Sequence, residues 1–320
     1  KYLTKVHVRA IVLSDNLYII DFILDFILYG SGINLVIILV LAIVLYVASL
    51  LYTSFQFGRM KKEKTQQKKT LSYKTTPIII SLTKKELKQY LNTPIYLINT
   101  IVPMVLYLGL SVASFIFGKE FAMAFVSTLP QNFLINFDVL TLMILSILVS
   151  GFVTTGSSIS LEGKHFWIIR TNPIKTSHIF ASKILMNVLI STIFILIGFP
   201  FILSFIDSIN FWWFILVPIF TSIMAASLGL VVNLVYPKLE WDREEAVIKS
   251  SMASLISLFF PMILTIIPFV VYMASLINFI NANVFIGLLV MYEIIVILLL
   301  WLWLKKRGEK ALYDAGVNKN

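Results

Sequence analysis

Seven long stretches without Lys or Arg constrain this chain more than any other feature of its sequence. They cover residues 34–55, 95–117, 139–161, 184–206, 211–235, 252–277 and 283–304. A helix of about 22 residues rises about 33 Å, enough to cross a hydrocarbon core of about 30 Å. The stretches are continuously apolar and do not alternate with polar residues, which favours helices over a barrel. The sequence therefore predicts an all-α polytopic membrane protein.

The net charge of +10 is explained by membrane topology and needs no nucleic-acid partner. Of the 26 Lys and Arg residues, 22 lie in four stretches that alternating spans place on one side: 56–94, 162–183, 236–251 and 305–320. The connections on the other side hold only Lys119. The positive-inside rule then predicts that the basic stretches, including the C-terminus, are cytoplasmic. They would contact anionic lipids there.

The first 30 residues permit more than one interpretation. Residues 10–30 are apolar enough to enter a membrane, yet Asp21 and Asp25 lie four apart on one helical face. Three alternatives remain: a spanning helix packed against partners that precede it, an interfacial helix, or paired carboxylates on an ion or substrate path. Because the chain begins at Lys1 without methionine, we expect it to be a fragment of a longer protein.

A basic, polar linker leads to "SLTKKELKQYLNTPIY", which has the pattern of a short amphipathic helix. Thr83 and Glu86 have the spacing of a capping box at its start. Pro94 would end it, since proline disfavours helical backbone in the preceding residue. The predicted apolar stripe consists of Leu87, Tyr90 and Leu91. We expect this helix to lie on the inner membrane surface; the alternative is a solvated basic linker helix.

The connection "LEGKHFWIIRTNPIKTSHIFASK" at 161–183 combines an acid, a glycine, aromatic residues and a proline. Gly163 is predicted to end the preceding span, and Pro173 to stop two short helical turns. Phe166 and Trp167, with the two isoleucines that follow them at 168 and 169, would supply a broad apolar surface. Trp167 suits the headgroup region or a partner's groove. The polar contacts predicted at the rim of this surface are Glu162, Lys164 and Arg170. The alternative is a membrane-anchored turn that obeys the positive-inside rule.

The second basic-side connection, "YPKLEWDREEAVIKSS", carries clustered acids. Asp242 and Glu245 have capping-box spacing, and Glu244 would lie in the first helical turn, where the helix dipole favours acids. We interpret this connection either as the solvated start of the next span or as a contact with a soluble partner.

Two features inside the apolar stretches bear on function. Glu293 is an acid in the middle of a span; it either marks a proton or ion path or locks helix packing as a hydrogen-bonded group. Residues 139–161 are rich in Ser, Thr and Gly, which lets helices approach closely, so this span is predicted at the bundle centre or a subunit interface.

Enzymatic chemistry is not indicated. The run "GFVTTGSS" has the glycine spacing of a phosphate loop, but Ser157 occupies the position of the required lysine. The three histidines have no metal-ligand spacing, and the absence of cysteine excludes Cys-ligated metals. We expect no catalytic residue, no metal and no cofactor bound by this chain.

The arrangement resembles the permeases of ABC-2 type ABC transporters, in particular bacterial exporters with two six-helix bundles in one chain. The resemblance rests on "ELKQYLNTPIYLINTIVP" at 86–103, "SLEGKHFWIIRTNPIKTSHIFASKIL" at 160–185 and "YPKLEWDREEAVIKSS" at 236–251. It implies the end of a preceding bundle at 1–56 and a linker with a connecting helix at 57–94. A six-span bundle at 95–310 and a cytoplasmic tail at 311–320 would follow.

The resemblance implies a function as well as a fold. The loop at 161–183 would dock onto a separate ABC ATPase subunit, which binds ATP and Mg²⁺, and the permease would move a substrate across the bacterial cytoplasmic membrane by alternating access. A second bundle in the same chain or a dimer would complete the permease. Two alternatives remain: an ion-gradient-driven secondary transporter, or a membrane scaffold or immunity protein that transports nothing.

Overall fold

The computed structural model describes residues 77–126, 137–171, 173–203, 206, 209–272 and 281–315, except for the side chains of 117–126, 164 and 170. These residues belong to one compact unit, Thr75–Asn320. Within them every regular element is a helix and there is no strand. The predictions for residues 1–76, including the window 34–55, Asp21 and Asp25, lie outside the described residues.

The helices follow one another with few intervening residues. Their bounds are α1 Ile78–Asn92, α2 Pro94–Val126, α3 Phe137–Ser150, α4 Thr155–Ser158, a 3₁₀ helix Ser160–His165, α5 Phe166–Thr171, α6 Thr176–Ile202, α7 Trp213–Val235, α8 Glu245–Ile248, α9 Met252–Val271, α10 Ala282–Trp303, a π turn Leu304–Gly308 and α11 Glu309–Asp314.

Six segments are long and apolar enough to cross a membrane. They are Pro94–Ile116, Phe137–Gly163, Thr176–Ile202, Trp213–Val235, Glu245–Val271 and Ala282–Asp314. Each overlaps one of the predicted windows between 95 and 304. The chain is therefore a multi-pass membrane protein.

The second and fourth spans form the centre of the bundle. The most apolar windows of these spans are 72% and 61% buried, against 22–28% for the other four. The fourth span, α7, packs against α3, α4, α6, α9 and α10. Gly229 allows the closest approach: a Cβ there would lie 2.3 Å from Cγ1 of Val153. The hydroxyl-rich span was predicted at the bundle centre or at a subunit interface, and it lies at the bundle centre.

The second span is not the continuous helix expected over 139–161. Helix α3 ends at Ser150, residues 151–154 are not helical, and α4 begins at Thr155. Apolar composition alone cannot reveal such a break, because side chains on other spans form hydrogen bonds with its backbone.

The ends of four spans meet at one side of the bundle, here called the basic face. A buried cluster joins the second, third, fourth and sixth spans there; it contains Ile159, Phe166, Phe180, Leu230, Leu234, Leu304 and Leu312. The π turn after α10 directs α11 onto this cluster. Residues 311–315, predicted as part of a tail, are thus helical or turn, and Leu312 among them is 2% exposed.

Candidate functional site

Asparagines from two neighbouring spans hold the break in the second span and the turn that follows α4. The Asn187 side-chain oxygen accepts from the Thr154 amide at 2.7 Å and from the Thr154 hydroxyl at 2.8 Å. Tyr96 donates to the carbonyl of Thr154. The Asn233 oxygen accepts from the amides of Ile159 at 2.8 Å and Ser160 at 3.2 Å. Non-helical backbone at membrane depth needs such partners, because no water replaces them.

Ser160 joins the broken span to residues 236–251, here called the second basic-face loop. Its hydroxyl accepts from the Asn233 side chain at 2.7 Å and from the Lys238 amide at 2.9 Å. Its carbonyl accepts from the Trp241 indole at 2.8 Å. The Trp241 ring also packs on Gly163, where an added Cβ would lie 2.9 Å from the ring. Residues 160–175 are here called the inner segment. The fourth span and the loop that follows it therefore fix the start of this segment.

Gly163 ends the second span as predicted, through a backbone conformation that favours glycine. Its φ is +48°, within the left-handed region, where a side chain is strained. The chain then continues into α5. Helix α5 ends at Thr171 and α6 begins at Thr176. Pro173 therefore lies in the non-helical residues 173–175, where the stop was expected.

Four charged side chains form a largely buried group, here called the ion cluster. The Lys183 ammonium, whose side chain is fully buried, lies 2.9 Å from Glu86 Oε2 and 3.4 Å from Glu162 Oε1. It also donates to the Ser158 carbonyl at 3.2 Å. The half-exposed Lys85 lies 2.8 Å from Glu162 Oε1. Two ammonium groups and two carboxylates balance, as buried charges require.

Two predictions about residues in or near the ion cluster are wrong. The capping box in α1 is wrong: the helix begins at Ile78, and the Thr83 hydroxyl within it donates to the Ile79 carbonyl at 2.8 Å. Glu86 pairs with Lys183 instead, because leaving that buried cation alone costs about 3–5 kcal/mol and losing a cap only about 1 kcal/mol. The placement of Glu162 at an exposed rim is also wrong, since this residue is 8% exposed.

The predicted apolar stripe of α1 divides between two environments. Leu87 and Leu91 are exposed, as a helix on a membrane surface would have them, and that placement remains a prediction. Tyr90 is buried, with its ring edge-on to Tyr96 at 5.0 Å. Its hydroxyl accepts from Thr100 at 3.0 Å, and burial raises the pKa of Tyr90 to about 12. Helix α1 ends before Pro94, as predicted.

The inner segment presents one apolar projection at the basic face. Trp167 is 62% exposed and Ile168 44%, whereas Phe166 is buried in the cluster beneath them. The apolar surface expected over 166–169 is thus narrower than predicted, because Phe166 anchors the segment. The side chains of Lys164 and Arg170 lie outside the described part of the structure.

The second basic-face loop does not form the predicted capping box. Helix α8 covers only Glu245–Ile248; Glu244 precedes it, and no side chain caps it. The next helix, α9, is capped by Ser251, whose hydroxyl accepts from the Ser254 amide at 3.1 Å. Asp242 and Glu245 are exposed and Glu244 is half-buried, so acids remain at the surface of this loop.

Glu293 lies in the middle of α10 and is 1% exposed. Its Oε1 lies 2.5 Å from the Thr221 hydroxyl of α7, and that hydroxyl is also 2.9 Å from the Val217 carbonyl. A hydroxyl has one hydrogen, so Thr221 donates either to Glu293 Oε1 or to the Val217 carbonyl at any one time. Its Oε2 has no hydrogen-bond partner within the described residues.

Sequence reasoning missed three residues of this site: Lys183, Asn187 and Asn233. Lys183 borders an apolar window and was counted with the cations of a loop. The asparagines lie inside apolar stretches, where a polar side chain indicates bonding between helices. That signal was present, but it does not identify the partner.

Comparison with protein-family models, curated proteins and solved structures finds no match for this chain.

Proposed function

We propose that this chain is the permease part of an ATP-driven exporter of the ABC-2 type, in the cytoplasmic membrane of a bacterium. It would move an as yet unidentified substrate by alternating access. A separate ATPase subunit would bind ATP and Mg²⁺ and dock at the basic face, which would then be cytoplasmic.

The observation that carries this proposal is the construction of the inner segment. An exposed pair, Trp167 and Ile168, stands on a base joined to several spans by buried hydrogen bonds and ion pairs. A loop that only connected two spans would not need such a base. An element that receives force from a soluble partner does, because a flexible loop would absorb the displacement.

Two routes lead from the inner segment into the membrane bundle. Ser160 connects it to Asn233 of the fourth span, one of the two most buried spans. Glu162 connects it to Lys183 of the third span and, through that residue, to Glu86 of α1. A displacement of the inner segment would therefore act on α1 and on the third and fourth spans together, as alternating access requires.

Affinity purification of the full-length protein from its own host tests the proposal. We expect a nucleotide-binding subunit to be recovered, with ATP hydrolysis in the eluate. Trp167→Ala should reduce the recovery about 30-fold, the effect of losing an interfacial anchor worth about 2 kcal/mol.

The matched control is Trp212→Ala. Trp212 is 59% exposed and precedes the fourth span, at the opposite end of the bundle from the inner segment. Its replacement should leave recovery unchanged. Failure to recover an ATPase, or equal recovery with Trp167→Ala, would contradict the proposal.

Glu293 favours a second candidate, a secondary transporter driven by an ion gradient. A buried acid whose Oε2 has no hydrogen-bond partner among the described residues has the chemistry of a proton or cation relay. In that case transport would collapse with the proton or sodium gradient while ATP is present. A scaffold or immunity protein would give no flux under either condition.

A further inference from the structure

A cavity of about 480 Å³ lies at the basic face between the start of the third span and the end of the sixth. This volume is within the range of about 300–1,000 Å³ that is typical of ligand pockets. One wall consists of Ile174, Lys175, Thr176 and Ser177, and the other contains Trp301, Lys305, Glu309 and Tyr313.

The cavity has the polar groups that bind a phosphate ester. Lys175 and Lys305 contribute ammonium groups from opposite walls, and Thr176 and Ser177 contribute hydroxyls. In the part of the chain that the structure describes, neither lysine has a carboxylate within 4 Å. Glu309 adds one carboxylate, which can accept from the hydroxyls or amine of a headgroup.

The floor of the cavity is apolar and fixed. Phe180 and Leu304 line it and are each 2% exposed. Gly308 packs directly on Phe180: a Cβ at this glycine would lie 2.8 Å from Cε2 of the ring. The two walls therefore keep their separation through close packing beneath the cavity.

The cavity continues into an apolar face of the sixth span. Ile294, Leu298, Trp301 and Lys305 follow one another at helical spacing, and all four are exposed. The first three are 36%, 55% and 39% exposed, and Trp301 lines the cavity itself. A membrane-spanning helix that presents such a face contacts lipid chains there, and tryptophan is typical of the headgroup level.

We propose that this cavity binds the headgroup of an anionic phospholipid. Its phosphate lies between Lys175 and Lys305, and its acyl chains follow the face formed by Trp301, Leu298 and Ile294. Basic pockets between membrane helices bind anionic headgroups in this way. The site holds whether or not the chain is a permease, because it depends only on residues 174–180 and on the end of the sixth span.

Native mass spectrometry of the full-length protein in detergent tests the proposal. The probes are phosphatidylglycerol, phosphatidylcholine and inorganic phosphate, and the test variant is Lys175→Gln/Lys305→Gln. We expect phosphatidylglycerol to bind most tightly and the variant to bind it about 30-fold more weakly, since each lysine near a membrane surface contributes about a factor of five.

The matched control is Lys306→Gln/Lys310→Gln, which removes the same charge from exposed positions outside the cavity lining. It should bind phosphatidylglycerol as the parent does. Equal losses in both variants would show nonspecific attraction to a basic surface and overturn the proposal. So would equally tight binding of phosphatidylcholine, or binding of inorganic phosphate as tight as that of the lipid.

Trp301→Ala separates the acyl-chain contact from the headgroup contact. We expect it to weaken phosphatidylglycerol binding while the small binding of inorganic phosphate stays unchanged. Unchanged lipid binding in this variant would overturn the placement of the acyl chains. Because Lys175, Lys305 and Trp301 are all exposed, these variants should fold.

Discussion

Replacing Lys183 with methionine should destabilise the bundle strongly. The change removes the one fully buried cation of the ion cluster and keeps an unbranched apolar side chain in its place. Glu86 and Glu162 are then left with Lys85 alone, at 3.8 Å and 2.8 Å. Two buried carboxylates facing one half-exposed ammonium carry an uncompensated charge.

The expected cost follows from what happens when one partner of a buried ion pair is removed. Such changes lower the free energy of unfolding by about 3–5 kcal/mol, because the remaining charge stays desolvated. A second change should relieve part of this loss. In Lys183→Met/Glu86→Gln the remaining charges are Glu162 and Lys85, a neutral pair at 2.8 Å, so the double variant should recover at least about 1 kcal/mol.

Reversible unfolding of the full-length protein in mixed detergent and SDS micelles, followed by tryptophan fluorescence, measures these free energies. Lys88→Met is the matched control. Lys88 is exposed on the same face of α1 as Lys85 and takes no part in the ion cluster. It should change the free energy by less than about 0.5 kcal/mol. If Lys183→Met behaves like this control, or if the double variant is less stable than the single one, the charge argument is refuted.

Three further predictions concern the broken span and the intramembrane acid. Asn233→Ala should lower the free energy of unfolding by about 2–5 kcal/mol in the same assay, since the buried amides of Ile159 and Ser160 lose their acceptor; a loss below about 1 kcal/mol would contradict this. Gly163→Ala should reduce ATPase recovery by affinity purification, because φ of +48° and contact with the Trp241 ring both oppose a Cβ; unchanged recovery would show that this turn is not needed. Glu293→Gln should leave ATP-driven transport within about twofold of the parent, because glutamine keeps a hydrogen bond to Thr221; loss of transport would favour an ion-coupled mechanism.

Local patterns predicted much of the fold correctly. Continuous apolar stretches located the six described spans, because membrane thickness sets their length. Gly163 and Pro94 were read correctly as helix ends, since the backbone preferences of glycine and proline act within one or two residues. The hydroxyl-rich span was predicted at the bundle centre or at a subunit interface, because small side chains allow close helix contacts.

Contacts between distant residues could not be predicted in the same way. Glu86 had a plausible local partner in a capping box, but its actual partner, Lys183, is 97 positions away. The break after Ser150 depends on Asn187, and the turn after α4 depends on Asn233; both asparagines lie on other spans. Nothing in the composition of residues 139–161 distinguishes a broken helix from a continuous one when its hydrogen-bond partners come from elsewhere.

Site-specific photo-crosslinking tests the central claim most directly. The photoreactive amino acid benzoylphenylalanine is placed at Trp167, and in a parallel variant at Trp212, in the full-length protein in its own host. We expect irradiation to join a nucleotide-binding ATPase subunit to position 167 and not to position 212. Adducts with lipid alone at position 167, or the same ATPase adduct at both positions, would contradict it.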